Sequence, residues 1–185
     1  VLVTHDLNEA RMLADRLAVM DGGRVLQQGT PAQIHTQPRN ARVADLVGIQ
    51  NRFQGLWLGP ADAPGRGRLR WTAEGEAGAG PAAPELNVRD KGRLPPGQAV
   101  NWVIPSDGIS LLARPAMRAG DLAAVVREAR HLGEITLATL TLDAVPGARL
   151  ILTLSGPQRQ GLGAGAAVGI RLDLEQVHVM PVRTA

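Results

Sequence analysis

The pattern of apolar and polar positions changes once along the chain, near Gly48. Residues 1–49 alternate the signals of strands and helices, whereas the sequence after about residue 52 consists of short alternating runs separated by glycine and proline. The first part predicts an α/β piece, and residues 50–185 predict an all-β domain. We therefore expect a mostly β protein, in which a β-barrel is preceded by a truncated piece of an α/β domain.

The α/β piece opens with Val1–Thr4, an apolar run typical of the end of a buried strand in a parallel sheet. No methionine precedes this run, so we expect the chain to be truncated, with the neighbouring strands upstream. A helix is predicted next, because apolar residues from Leu7 to Leu17 recur at helical spacing, with Asp6 and Glu9 placed as a capping box. The remaining predicted elements are a hairpin turn at Asp21–Gly23 and two short helices capped by Thr30 and Asn40.

The β part repeats itself at an offset of 68 residues, the separation of Val100 from Val168. Each copy contains a glycine turn, an alternating strand, an acidic break and a second short strand. The residues that coincide are Val100, Trp102, Ile104, Asp107, Ile109 and Leu111 with Val168, Ile170, Leu172, Glu175, Val177 and Val179. The repeat predicts two related half-barrels, at about 52–112 and 120–183.

Two features of the β part indicate how its core is filled. In Ile135–Leu142 the apolar residues fall on odd positions at first and on even positions later. A bulge near Ala138–Thr139 would restore the inward direction, as the corner of a barrel requires. Trp57, Trp71 and Trp102 lie on predicted strands, and we expect them to anchor a core or an interface rather than to stack on a ligand.

Composition removes several classes of function. The chain has no cysteine and its four histidines lie far apart, with His178 expected on a solvent face, so no metal site is predicted. Nineteen of the 20 basic residues are arginines, but they are scattered, and the aromatic residues are limited to Phe53 and three tryptophans. A nucleic-acid-binding barrel would show basic runs and stacking aromatics, so this class is disfavoured.

Residues 1–51 resemble the end of the ATPase domain of ABC importers. The matching peptides include Thr4-His5-Asp6, Glu9-Ala10, Ala14-Asp15-Arg16-Leu17, Gln28-Gly29-Thr30-Pro31, Gly48 and Asn51, in the order and spacing of that family. The resemblance identifies the chain as a C-terminal part of an ATP-binding subunit. It also implies that His5 is the switch histidine, which contacts the γ-phosphate of ATP and orders the attacking water. His5 is therefore the candidate catalytic and cofactor-binding residue.

The chemistry of His5 agrees with this role. A residue at the carboxyl end of a strand in a doubly wound sheet faces the crevice where ligands bind. There an imidazole can hydrogen-bond to a phosphate oxygen whose charge changes as the γ-phosphate leaves. The sequence contains neither a G-x-x-x-x-G-K-[ST] loop nor an apolar strand that ends in Asp-Glu. We therefore expect ATP and Mg²⁺ to be cofactors of the full-length protein only, and these 185 residues alone to be inactive.

Residues 52–183 are similar to the tandem OB-like accessory domain of importer ATPases, called TOBE. The resemblance rests on strand rhythm, on Leu132-Gly133-Glu134 and on Val103–Ile109, where many relatives carry Arg-Pro-Glu. It implies a homodimer or paired ATPase subunit, transmembrane permease partners, and a peripheral position on the cytoplasmic face of the membrane. In some branches such barrels bind an oxyanion or a regulatory protein. Ser106 and nearby amides form either a nest for a small regulatory anion or an ordinary polar turn.

Two hypotheses of function follow. In the first, the full-length subunit couples ATP hydrolysis to solute uptake, and this region supports and gates the dimer. In the second, the barrel is a binding module that senses a small oxyanion or a partner protein. The resemblance leaves the solute open among molybdate, sulfate, iron, sugars and polyamines.

Overall fold

The computed structural model describes residues 1–5, 7–73, 83–90, 92, 94–159 and 162–182, with only the backbone of Leu7 and Asn8. The α/β piece consists of α1 (Leu7–Leu13), β1 (Leu17–Asp21), β2 (Arg24–Gly29), α2 (Pro31–Thr36) and α3 (Ala41–Leu46). The β region consists of β3 (Arg52–Pro60), β4 (Arg66–Thr72), β5 (Glu85–Arg89), β6 (Gln98–Val103), β7 (Ile109–Ala113), β8 (Leu122–Leu132), β9 (Ile135–Leu142), β10 (Arg149–Ser155), β11 (Ala167–Leu172) and β12 (His178–Pro181). The predicted mostly β fold is thus confirmed.

The predicted hairpin and short helices of the α/β piece are present. Gly22 and Gly23, both with positive φ, make the turn between β1 and β2. Thr30 caps α2 in a capping box with Gln33, and the Asn40 side chain accepts from the first turn of α3. The first helix ends at Leu13 rather than Leu17, and its predicted cap, Asp6, lies outside the described residues.

The predicted strand at Val1–Thr4 is not formed. Val1, Leu2 and Val3 are exposed and outside any strand, because no described strand runs beside them to pair with their backbone groups. None of the described helices is long and apolar enough to cross a bilayer.

The β region forms two antiparallel sheets of five strands each. We name the sheet β12-β6-β3-β4-β5 the aromatic sheet and the sheet β7-β11-β8-β9-β10 the aliphatic sheet. The 68-residue repeat makes each strand of one sheet equivalent to a strand of the other. The two halves of the repeat exchange their last strands between the sheets: β12, from the second copy, pairs with β6 of the first, and β7, from the first copy, pairs with β11 of the second.

The inner faces of both sheets contribute to one continuous core. In the aromatic sheet Trp57, Trp71 and Trp102 are at most 1 % exposed, so the prediction that they are core anchors is confirmed. Phe53, Trp71 and Trp102 contact one another at centroid distances of 4.6–4.8 Å. In the aliphatic sheet the corresponding volume is filled by leucine, isoleucine, valine and alanine.

The α/β piece packs on the outer face of the aromatic sheet. A second cluster joins α2, α3 and the following segment to β6 and β12. Its buried members are Ile34, Val43, Ala44, Val47, Ile49, Val103 and Met180. This packing covers the β6–β12 end of the outer face. It also brings polar residues of the α/β piece next to polar residues of β12.

The prediction of a bulge near Ala138–Thr139 is wrong. Strand β9 alternates regularly and buries Thr136, and the bulge lies on the neighbouring strand β8, between Val126 and Glu128. The pattern is misleading because a polar residue occupies an inward position. Thr136 is tolerated there because its hydroxyl is within 2.8 Å of the Nδ1 atom of His131.

Candidate functional site

His5 lies on an exposed bend directly before α1. The Thr4 hydroxyl donates a hydrogen bond of 2.7 Å to the Glu9 carboxylate, which spans the bend on which His5 sits. This bond ties the segment before α1 to the first turn of the helix, while the imidazole of His5 remains exposed. The side chain is therefore presented to solvent from a restrained backbone.

The described residues offer little else to a nucleotide at this position. No group of three or more histidine, aspartate or glutamate side chains in the described ranges could hold a metal ion. His5 fits a single hydrogen bond to a phosphate oxygen. It does not by itself form a site for ATP and Mg²⁺.

The predicted anion nest at Ser106 is largely occupied by bonds within the protein. The Ser106 hydroxyl donates to the Ile151 carbonyl at 3.4 Å, and the Gly108 amide donates to the Pro105 carbonyl at 3.0 Å. Asp107 adds a negative charge to the same turn. These contacts favour the alternative of a polar turn.

Asn51 has a role that its place in the sequence did not predict. Its amide nitrogen donates to the Ile151 carbonyl at 2.9 Å, and its amide oxygen accepts from the Ile151 amide at 2.7 Å. The side chain thus binds strand β10 of the aliphatic sheet as a neighbouring strand would. Because Asn51 directly precedes β3 and is 1 % exposed, it joins the two sheets from a buried position.

A cleft of about 570 Å³ lies between the α/β piece and the β12 edge of the aromatic sheet; we name it the seam cleft. Its described lining residues are Gln27, Gln28, Gln37, Pro38, Arg39, Leu94, Gln98, His178, Val179, Met180 and Pro181. His178, predicted on a solvent face, is half-buried here, and its Nε2 atom donates to the Pro38 carbonyl at 3.0 Å. Sequence reasoning missed this cleft, because its residues come from four separate segments.

A second, polar cleft of about 430 Å³ adjoins it at Gln37 and His178. Arg89, Asp90 and Glu175 line this cleft, and Glu175 forms an ion pair with Arg66. Because the lining carries charges of both signs, this cleft favours neither anionic nor cationic ligands.

A carboxylate with a clearly lowered pKa lies away from these clefts. Arg171 on β11 donates two hydrogen bonds, of 2.8 and 2.7 Å, to Asp121 just before β8. These bonds, together with one from the Arg118 amide, lower the pKa of Asp121 to about 2. The pair joins two strands of the aliphatic sheet and is structural.

Known proteins resemble this chain in sequence. No model of a protein family matches the chain. The sulfate/thiosulfate import ATP-binding protein CysA 2 of Chromobacterium violaceum is 34 % identical over 187 residues, which cover 100 % of this chain and 46 % of that protein. The spermidine/putrescine import ATP-binding protein PotA of Salmonella typhimurium is 35 % identical over 108 residues, 58 % of this chain and 26 % of that protein. The chain thus spans less than half the length of these relatives.

Among solved structures, the cytoplasmic molybdate-binding protein ModG, with molybdate bound, superposes with a TM-score of 0.56 at 15 % identity. The match covers 71 % of this chain and 96 % of that chain. At this identity the likeness shows the fold, and it confirms the OB-like, TOBE-type β region. The resemblance predicted from the sequence is confirmed as well: over its full length, this chain is similar to the ATP-binding subunits of ABC importers.

Proposed function

We propose that the full-length protein is the ATP-binding subunit of an ABC importer and couples ATP hydrolysis to solute uptake. The observation that carries this proposal is the 34 % identity to an import ATP-binding protein along the whole chain. In this proposal the subunit pairs with a second ATPase subunit and with transmembrane permease subunits at the cytoplasmic face of the membrane. The present region regulates and dimerises.

His5 is the residue of this chain that we assign to the nucleotide. The exposed imidazole and the restrained bend support the assignment, because a fixed donor can reach a phosphate held by residues outside this chain. ATP and Mg²⁺ would be bound mainly by those other residues. His5 would contribute a hydrogen bond to the terminal phosphate and hold the attacking water in place.

The test replaces His5 in the longer subunit that carries the ATPase domain. We expect His5→Ala to lower ATP turnover about 100-fold or more, the usual cost of losing one donor to a developing charge. His131→Ala serves as the control and should leave turnover near that of the wild type, because this histidine lies on the aliphatic sheet and contacts Thr136. Unchanged turnover of the His5 variant would contradict the assignment. The 185-residue chain alone should show no Mg²⁺-dependent hydrolysis.

A second candidate function, an oxyanion sensor, is favoured by the fold shared with molybdate-binding ModG. Titration of the chain with molybdate and sulfate, followed by tryptophan fluorescence, tests it. Saturable quenching would support the sensor. A flat response at millimolar anion would leave energy coupling as the better account. The transported solute is not assigned by either experiment.

A further inference from the structure

The seam cleft has an apolar floor beneath a polar rim. Pro38 and Met180 are buried and form the floor together with Leu94, which is partly exposed. The floor is continuous with the cluster that docks the α/β piece, since Met180 belongs to both. A ligand in this cleft would therefore contact both parts of the molecule at once.

Part of the polar rim is fixed by internal hydrogen bonds. Gln27 uses both ends of its amide, donating to the Gln37 carbonyl at 3.0 Å and accepting from the Arg39 amide at 2.7 Å. His178 holds the Pro38 carbonyl at 3.0 Å. Residues 37–39 are thus pinned from β2 on one side and from β12 on the other, so the rim is formed before any ligand arrives.

The other polar groups of the rim are available to a ligand. The guanidinium of Arg39 and the side-chain amides of Gln28 and Gln98 line the cleft, and none has a hydrogen-bond or ion-pair partner among the described residues. Arg39 is the only arginine or lysine in the described lining, which contains no aspartate or glutamate. The cleft therefore offers a surplus of donors and one positive charge, and this combination suits an anion.

We propose that the seam cleft binds a small organic carboxylate with an apolar body. A guanidinium matches a carboxylate in a two-bond fork, and the flanking amides can donate to the same oxygens. The hydrocarbon part would lie on Pro38, Leu94 and Met180. An inorganic oxyanion would leave that floor unused while losing its own hydration, so it fits less well. The volume of about 570 Å³ lies in the range of small-molecule sites.

This inference does not depend on the proposed function of His5, because it concerns a different surface. It goes beyond the oxyanion-sensor candidate by assigning another site and another ligand class. Occupancy of the cleft would strengthen the contact between the α/β piece and the aromatic sheet, since ligand atoms would touch both.

The test is a titration of the 185-residue chain with octanoate, followed by the methyl NMR signals of Met180 and Leu94 and by calorimetry. We expect saturable shifts with octanoate, and none of comparable affinity with octylamine or sulfate. Arg39→Gln should weaken octanoate binding about tenfold or more, since a hydrogen bond to a charged group is lost. Arg68→Gln is the matched control and should bind as the wild type does, because Arg68 is an exposed arginine outside the cleft.

Three outcomes would overturn the proposal. The first is the absence of saturable shifts with octanoate. The second is equal binding of octylamine or of sulfate. The third is unchanged octanoate affinity in Arg39→Gln, whose fold is checked by the signals of the buried tryptophans. Loss of ATPase activity on His5 replacement bears on none of these results.

Discussion

The aromatic and aliphatic sheets have the same strand order but different contents. Each takes four strands from one copy of the repeat and one strand from the other, and each has a bulge in its long central strand, at Trp57–Gly59 or Val126–Glu128. Yet the inner face of one holds four aromatic rings, and that of the other is filled by aliphatic side chains apart from Thr136. The topology is thus set by strand pairing and bulges, and the core tolerates any filling of suitable shape.

The outer faces differ as well. The β6–β12 end of the aromatic sheet is covered by α2 and α3, so Val103 and Met180 can be buried there. At the corresponding level of the aliphatic sheet, an offset of 68 residues replaces Val103 with Arg171, which pairs with Asp121. An apolar contact on one sheet thus has an ion pair as its counterpart on the other, because α2 and α3 cover the aromatic sheet at this level.

The largest expected difference between the sheets concerns Trp102 and Ile170, which occupy equivalent positions and are both fully buried. Trp102→Ala should lower the free energy of unfolding by about 3–5 kcal/mol, since it removes an indole that contacts two other rings. Ile170→Ala should cost about 2–4 kcal/mol, because fewer atoms are lost. Urea unfolding of both variants measures the difference. A larger loss for Ile170→Ala would show that the aliphatic sheet is the more tightly packed one.

A second difference concerns a close approach found in the aromatic sheet. A Cβ atom on Gly67 would lie 2.1 Å from the ring of Trp57. Gly67→Ala should therefore destabilise the protein by about 1–3 kcal/mol through overpacking. Gly163→Ala is the control, because a Cβ atom there meets nothing within 4 Å, and its melting temperature should not fall. Equal melting temperatures for the two variants would show that the Trp57 ring moves aside at little cost.

The sequence predicted the elements better than their pairing. The 68-residue repeat and the alternating runs indicate the strands, and the caps at Thr30 and Asn40 indicate the helices. The exchange of β7 and β12 was not predictable, since neither β6 nor β12 carries a local sequence signal for the other. The two strands become neighbours because their inner faces pack in the same core. Strand β9 was misjudged for a related reason: Thr136 is inward because His131, on the neighbouring strand, satisfies its hydroxyl.

For the candidate sites too, local sequence motifs were predictable and contacts between distant segments were not. His5 could be assigned because a motif of neighbouring residues surrounds it. The seam cleft could not, since Gln27, Arg39 and His178 are ordinary polar residues until the fold brings them together. Asn51 was noted as part of the matching sequence, but its bonds to Ile151 cross 100 positions of the chain.

The smallest expected effect is a difference between the two sheets in their response to acid. The bonds from Arg171 lower the pKa of Asp121 from 3.8 to about 2, so the native state binds a proton less readily than the unfolded state does. The pair therefore contributes stability that is fully present above pH 3.8 and is lost as the pH falls towards 2. Val103 and Arg52 stand at the equivalent positions of the aromatic sheet, so no ion pair forms between the two strands there.

Amide NMR signals of β8 and β11 should accordingly change between pH 4 and pH 2 before those of β3 and β6 do. Asp121→Asn removes the titrating group, so the stability of this variant should vary less with pH across the same window than that of the wild type. Glu128→Gln is a suitable control, because Glu128 also pairs with an arginine but both side chains are more than half exposed. If Asp121→Asn kept the full acid dependence, the ion pair would not be what distinguishes the aliphatic sheet, and its acid response would have to arise from the exposed carboxylates that both sheets carry.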